Sequence, residues 1–333
     1  MPPGFLSPTT DSDGQRGSLP PRRLSGRATA IWAKTGGPDE WLPLTQHMLD
    51  SAHVAALLFD HWLSDAVKRR WSQGPLSVGE MRTVAIFAAA SHDCGKACPA
   101  FVAQSEPLAQ RARDAGLPCL TMPELKDDRA KLHHSLVSQF ALQRWLAARG
   151  FTVKEARVLA SIAGAHHGKP VTREQLGEAR DRPHGTGGPA WEEVRNELLD
   201  WCAAETGFDT LLAERGPFAL QLPTLVELSG FVIVADWLAS NTQLFPLRDR
   251  GRDGTPEADM TARARRGWGE IAMPPPWQPS PDLSDPPALF RERFGWKPEV
   301  TPHPVQLAAL DLARSADVGA MFIETTTGGG KTE

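Results

Sequence analysis

Between residues 44 and 63 apolar side chains recur at spacings of four, four, three, four and four (Leu44, Met48, Ala52, Ala55, Phe59, Leu63), the stripe of one helix face. Ser77 with Glu80 forms a capping box that opens an apolar stretch over 84–90. The helical period returns over 135–148, and Gly150 is placed to end it. Thr152 and Glu155 make a second capping box ahead of 156–165, with Gly168 just past the end. Helices are also predicted over 191–204 and 222–241. The second of these is apolar nearly all round (Leu225, Val226, Leu228, Phe231, Val232, Ile233, Val234, Ala235), which predicts a buried central helix. Its β-branched middle would suit a strand, but a stretch of about 19 residues has the length of a helix. The polar segment 104–128 reads as a long connection with room for short helices, and 181–189 as a loop.

Residues 1–26 carry few side chains able to enter a core and read as a flexible tail. The best boundary is proline-rich, around PPPWQPSPDLSDPP, and predicts a semi-rigid linker over 273–298. The organisation expected is thus a tail, an all-α domain over 27–272, the linker, and a second domain begun over 299–333. That last part holds a helical segment, 305–314, and a strand-like run, 320–324. No internal repeat is visible.

A chain of 333 residues with 41% hydrophobic and 23% charged residues has ample material for a core, which excludes disorder throughout. The net charge of −4 excludes a uniformly basic coat for nucleic acid, though not a local basic groove. Four cysteines without a CxxC pair suit reduced thiols and a cytoplasmic location. No apolar run suits a membrane span, and the N-terminus lacks the apolar core of a secretion signal, so no membrane association is expected.

The chemistry lies in histidines and aspartates. His92 and Asp93 close an apolar helix in the string SHDCGK (91–96); His47 lies upstream, and the doublets His133/His134 and His166/His167 follow. Imidazole and carboxylate suit Fe, Mn, Co, Ni or Zn. Adjacent helical residues point about 100° apart, so such doublets at helix ends can serve neighbouring metal positions. A single histidine on an apolar face is ordinarily a hydrogen-bonded core residue, and His53 and His61 have no further support; His184, in a Gly/Pro loop, reads as surface. Asp236 differs, because a carboxylate inside an apolar helix costs several kcal/mol unless paired or metal-bound.

His47, SHDCGK (91–96), HSLVS (134–138), AHHG (165–168) and ADWLASN (235–241) occur in the order of the HD-domain nuclease module of the CRISPR-associated helicase–nuclease of type I systems, and the chain resembles that family over roughly residues 40–245. The resemblance implies an all-α HD-domain helical bundle with two divalent transition-metal ions, of Fe, Mn, Co or Ni. It implies His47, His92, Asp93 and Asp236 as ligands of one ion and Asp93, His134, His166 and His167 of the other, with Asp93 bridging. The H-x-x-V-S spacing selects His134 over His133. Lys96 matches the lysine of the HDxGK motif, placed for a scissile phosphate or a supporting carboxylate. The activity implied is phosphodiester hydrolysis of single-stranded DNA, with recruitment by the Cascade surveillance complex. Trp71, Lys68, Arg69, Arg70 and Trp237 are candidates for a single-strand channel, although core burial is the commoner fate of tryptophan.

After the linker, TTTGGGKT (325–332) follows an apolar run as a phosphate loop would: glycines admit phosphates to the backbone, Lys331 reaches them and Thr332 holds Mg²⁺. Thr325 stands where the general pattern has glycine, but Thr327, Gly328, Gly330, Lys331 and Thr332 resemble the form used by superfamily 2 helicases. Gln306, in HPVQ, resembles that family's adenine-reading glutamine. An α/β RecA-like helicase domain is therefore expected to begin here, with ATP and Mg²⁺ relevant only to the full-length protein. The chain reaches Glu333 directly after the loop, so ATPase and helicase activity are not expected of it alone, and it reads as the N-terminal part of a longer helicase–nuclease. Two alternatives stand beside the nuclease: an HD phosphohydrolase acting on nucleotides or cyclic nucleotides, and an inactive remnant that binds Cascade or DNA.

Overall fold

The computed structural model describes residues 23–36, 40–249, 251–271, 273, 285–315, 323, 324 and 326. The chain divides into two compact units, Met1–Pro276 and Trp277–Glu333.

Seven helices build the core of the first unit: α1 (Leu44–Leu57), α2 (Val78–Ser91), α3 (His134–Ala147), α4 (Val153–Ala165), α5 (Gly188–Thr206), α6 (Leu222–Ala239) and α7 (Met260–Gly269). Both predicted capping boxes form, Ser77 with Glu80 starting α2 and Thr152 with Glu155 starting α4. Helix α1 packs against α2, α6 and α7, and α3 lies along α4. Between them Phe87 stacks on Phe208 at 4.0 Å and on Trp145 at 5.5 Å.

The structure exchanges the roles predicted for α1 and α6. All 14 residues of α1 are buried, so it is the central helix rather than a half-exposed amphipathic one. Its polar side is covered by charge-matched partners: Arg263 of α7 donates to Asp50 at 2.8 and 3.0 Å, and Gln46 donates to Asp50 at 2.9 Å. Helix α6, expected at the centre, leaves Leu222, Val226 and Trp237 63–70% exposed. By length and composition alone α6 is apolar enough to cross a membrane; here it packs on α1, α2 and α4.

Further corrections concern the connections. The all-α expectation omits a small antiparallel sheet, order β1-β2-β3, from β1 (Trp32–Thr35), β2 (Glu40–Pro43) and β3 (Arg248–Asp249). Its strands are too short for period-two patterning to show, and β3 joins from about 200 residues away. The expected tail extends too far: residues 1–22 lie outside the described residues, but Ser25 caps the helix Gly26–Thr29 and its hydroxyl donates to Glu197 at 2.7 Å. The loop expected over 181–189 contains the helical turn Pro183–Thr186, whereas 104–128 holds a short helix, Glu106–Asp114, as its sequence allowed.

In the second unit the expected linker 273–298 includes a helix, Pro286–Phe294, capped by Asp285. Proline at the first helical positions has no N–H to leave unpaired, so the same residues that suggested a linker start a helix. A second helix, Pro304–Ser315, carries Gln306, whose side-chain oxygen accepts from the His303 N–H at 2.7 Å. Of the run 320–324 only Ile323 and Glu324 are described, outside regular structure. Thr325, Thr327, Gly328, Gly330, Lys331 and Thr332 lie outside the described residues.

Candidate metal centre

Five of the predicted ligands stand at helix ends. His92 and His166 are the residues that close α2 and α4, Asp93 and His167 follow them, and His134 opens α3. His47 lies in the first turns of α1, and Asp236 near the end of α6. The turn after Asp93 is pressed onto α3. The Gly95 N–H donates to Ser138 Oγ at 2.8 Å, and a Cβ on Gly95 would lie 2.2 Å from both His134 O and Ser138 N. Only glycine fits there. From the other side buried Arg195 of α5 donates to the carbonyls of Ala97 at 2.7 Å and Thr186 at 2.8 Å.

The side chains converge on Asp93, which is 1% exposed. Its Oδ2 lies 3.0 Å from His47 Nε2 and 3.3 Å from His92 Nε2. Its Oδ1 lies 3.3 Å from His134 Nε2 and 3.5 Å from His166 Nε2. Asp236 Oδ1 is 3.4 Å from both His47 and His92, and Ser240, one turn on, donates to it at 2.6 Å. Two ligand sets therefore share one carboxylate, each set facing a different oxygen.

The donors fit divalent metal. Nδ1 of His92 and of His166 each lies 2.6 Å from the carbonyl three residues earlier, Ala89 and Ala163. Those bonds place a proton on Nδ1 and aim Nε2 inward, where it offers a lone pair once the ring is neutral. Close as they are to the carboxylates, His47 Nε2, His92 Nε2, His166 Nε2 and Asp93 Oδ1 form no hydrogen bond among the described residues, and burial in that state is costly unless a cation takes them. The fields at the two inward histidines are opposite. Burial disfavours a charged His92, yet Asp93 and Asp236 outweigh it and hold its pKa up at about 10. Burial and the His92 charge push His166 down to about 2. Asp93 stays well below the ordinary carboxylate range despite burial, because Lys96 and His92 stand beside it.

Not every predicted residue joins these sets. His167 is exposed; its Nε2 lies 3.0 Å from His134 Nε2, and it groups with His134 and His133 rather than with Asp93 and His166. His133 Nδ1 is 2.9 Å from Ser135 Oγ, and burial beside His134 and His167 lowers its pKa to about 4. Lys96 is buried, its Nζ 2.6 Å from Asp93 Oδ2 and above the Phe101 ring. Among the channel candidates Trp71 is core, its indole N–H donating to Glu227 at 2.7 Å, and Arg70 clamps the same carboxylate. Lys68 pairs with Asp65 at 3.5 Å, while Arg69 and Trp237 are exposed, the latter beside Asp236. His53 is a buried core residue bonded to Leu49 O; His61 and His184 are exposed. Sequence reasoning missed Arg195 and Lys34, the second a strand residue within the field of Asp93, Asp236 and Lys96. Neither lies in a motif, and only long-range packing brings them here.

The family model for the Cas3 HD domain matches residues 32–245. The chain belongs to the Cas3 HD-domain family. It is 30% identical to the CRISPR-associated nuclease/helicase Cas3 of Streptococcus thermophilus over 91% of its length, which is 34% of that protein. It is 33% identical to the CRISPR-associated endonuclease/helicase Cas3 of Thermus thermophilus over 74% of its length, 26% of that relative. The chain thus spans about a third or less of these curated relatives. The Thermus thermophilus Cas3 HD domain, crystallised in the presence of Ni²⁺, superposes with a TM-score of 0.51 at 27% identity, covering 74% of this chain and 89% of that one. The first unit is thus the mostly helical domain of a CRISPR-associated HD nuclease family, with a buried His/Asp cluster of metal-binding character.

Proposed function

We propose that this chain is the nuclease part of a CRISPR-associated helicase–nuclease, hydrolysing phosphodiester bonds of single-stranded DNA with two divalent transition-metal ions. The observation that carries the reading is Asp93, whose two oxygens face separate sets of imidazoles. His47, His92, Asp93 and Asp236 would hold one ion, and Asp93, His134 and His166 the other; His167, 3.0 Å from His134 on the outer side, is the further ligand that the family resemblance implies. When bound, such a pair supplies a hydroxide-like water near neutral pH and stabilises the leaving oxygen. The protein's part is to aim His92 and His166 inward through their Nδ1 bonds, to hold Asp93 ionised, and to exclude bulk water from the ligands. Lys96 neutralises Asp93 and offers an ammonium to a phosphate oxygen at the same place.

The activity is proposed to serve antiviral defence in the cytoplasm, on DNA presented by the Cascade surveillance complex; the relatives' names support the association with CRISPR. Gln306 and the phosphate-loop residues Lys331 and Thr332 support an ATP site that a longer RecA-like domain would complete.

The test is cleavage of circular single-stranded DNA in Mn²⁺, Co²⁺ or Ni²⁺ without ATP, with Asp93→Ala as control. Degradation by the wild type that the variant lacks is expected. Hydrolysis of cyclic or mononucleotides with no DNA cleavage would overturn the nuclease reading in favour of a nucleotide phosphohydrolase. Inactivity on every substrate, without bound metal, would leave a binding remnant.

A further inference from the structure

Strand β1 delivers a positive charge to the cluster that no motif accounts for. Lys34 is half-buried, and its ammonium makes no hydrogen bond or ion pair with any described residue. Its place is set from two directions. Through the sheet it stands opposite Leu42, two residues before α1 begins and five before His47. Through its neighbour Trp32 it is tied to the HD turn: the Trp32 indole donates to Val102 O at 3.1 Å, and its ring lies 4.4 Å from Phe101. Phe101 in turn faces Lys96 Nζ at 5.5 Å and the His134 ring at 5.6 Å.

Between these two anchors the strand is irregular. From Trp32 to Lys34 β1 advances two residues while β2 advances one, from Pro43 to Leu42. Such a bulge re-aims a side chain, and bulges are over-represented beside active sites. Lys34 consequently lies within the field of Lys96, Asp236 and Asp93; burial and the Lys96 charge depress its pKa, and the two carboxylates pull it back. It is not there to neutralise those carboxylates by contact. Asp93 already holds Lys96 at 2.6 Å, and Asp236 is taken by His47, His92 and Ser240. A half-buried ammonium without a contact partner is costly to keep, and the arrival of an anion relieves it.

We infer that Lys34 is a substrate-binding residue: its ammonium holds a phosphate of the nucleic-acid strand on the sheet side of the Asp93 cluster, adjoining the phosphate that is cut. This rests on the nucleic-acid reading of the site but not on catalysis. The test is binding of a hydrolysis-resistant phosphorothioate single strand to the full chain in Mn²⁺, over a range of salt. Lys34→Met and Lys34→Gln should weaken binding about tenfold, as loss of a charge-assisted contact does. They should lower the log–log salt slope by about 0.7, the value of one single-strand phosphate contact. Lys34→Arg should restore both, and melting temperature and metal content should match wild type in every variant. An unchanged salt slope in Lys34→Met and Lys34→Gln, or a wild type that binds no single strand, would overturn the inference. Binding with the expected slope change but no cleavage of ordinary DNA would leave Lys34 assigned and remove the nuclease instead.

Discussion

Because Asp93 touches both ligand sets and Asp236 only one, the two aspartates should fail differently. Asp236→Asn removes the carboxylate facing His47 and His92 and leaves Asp93, His134 and His166 in place. Asp93→Asn removes the only carboxylate of the second set and half of those in the first. At free metal about 100-fold above its dissociation constant, each occupied site adds about 2.7 kcal/mol to the folded state, so two add about 5. For a unit of this size that corresponds to a rise in melting temperature of about 10–20 °C. The expected outcome is the full rise for wild type, about half for Asp236→Asn and almost none for Asp93→Asn. Metal analysis should follow in the ratio two, one, none. Each variant is compared with its own metal-free form, since Asp93→Asn also strands the buried Lys96 ammonium. Metal entering the first set must also displace the proton that Asp93 and Asp236 hold on His92, whose pKa is about 10 without metal. Titration near neutral pH should therefore release about one proton from wild type and fewer from Asp236→Asn. Equal loss of metal in the two variants, or one ion retained by Asp93→Asn, would refute the shared-carboxylate geometry.

Other outcomes follow from contacts away from the ligands. Asp50→Ala leaves Arg263 buried beside α1 with its main partner gone, and denaturant unfolding should show a loss of about 3–5 kcal/mol; metal content of the folded protein should be unchanged. Ser138→Ala removes the acceptor of the Gly95 N–H and should cost about 1–3 kcal/mol, with a rise in the metal dissociation constant as the turn after Asp93 loosens. The Glu80 carboxyl is held down at about 2, chiefly by its hydrogen bond from Arg215 and also by Ser77. Its contribution is fully present above the unfolded carboxyl's pKa of about 4.3 and is lost as pH falls through the folded value. The stability gap between wild type and Glu80→Gln should therefore be constant near neutrality and shrink below about pH 4, and a gap that widens in acid would contradict this assignment.

Much of this protein is local, and the sequence alone determines that much. Ser77 and Thr152 start their helices where the capping boxes say, because a cap is made of residues three apart. The His/Asp doublets were legible for the same reason: each sits where a helix stops, and helix ends are written in nearby residues. What the tertiary structure decided is everything that depends on distant partners. Helix α6 is the more apolar, yet α1 is the buried centre, because Arg263 and the other groups that satisfy α1's polar side come from some 200 residues downstream. The helix Pro286–Phe294 hid among prolines that equally suit a linker. Which histidine of a doublet faces Asp93 depends on how α3 meets α4, which placed His166 inside and His167 outside. Lys34 and Arg195 belong to no motif, and reach the site only because a bulged strand and a fifth helix pack against it. A side chain's own neighbours set its helix and its end; charge and burial at the site are long-range sums, and only the fold adds them up.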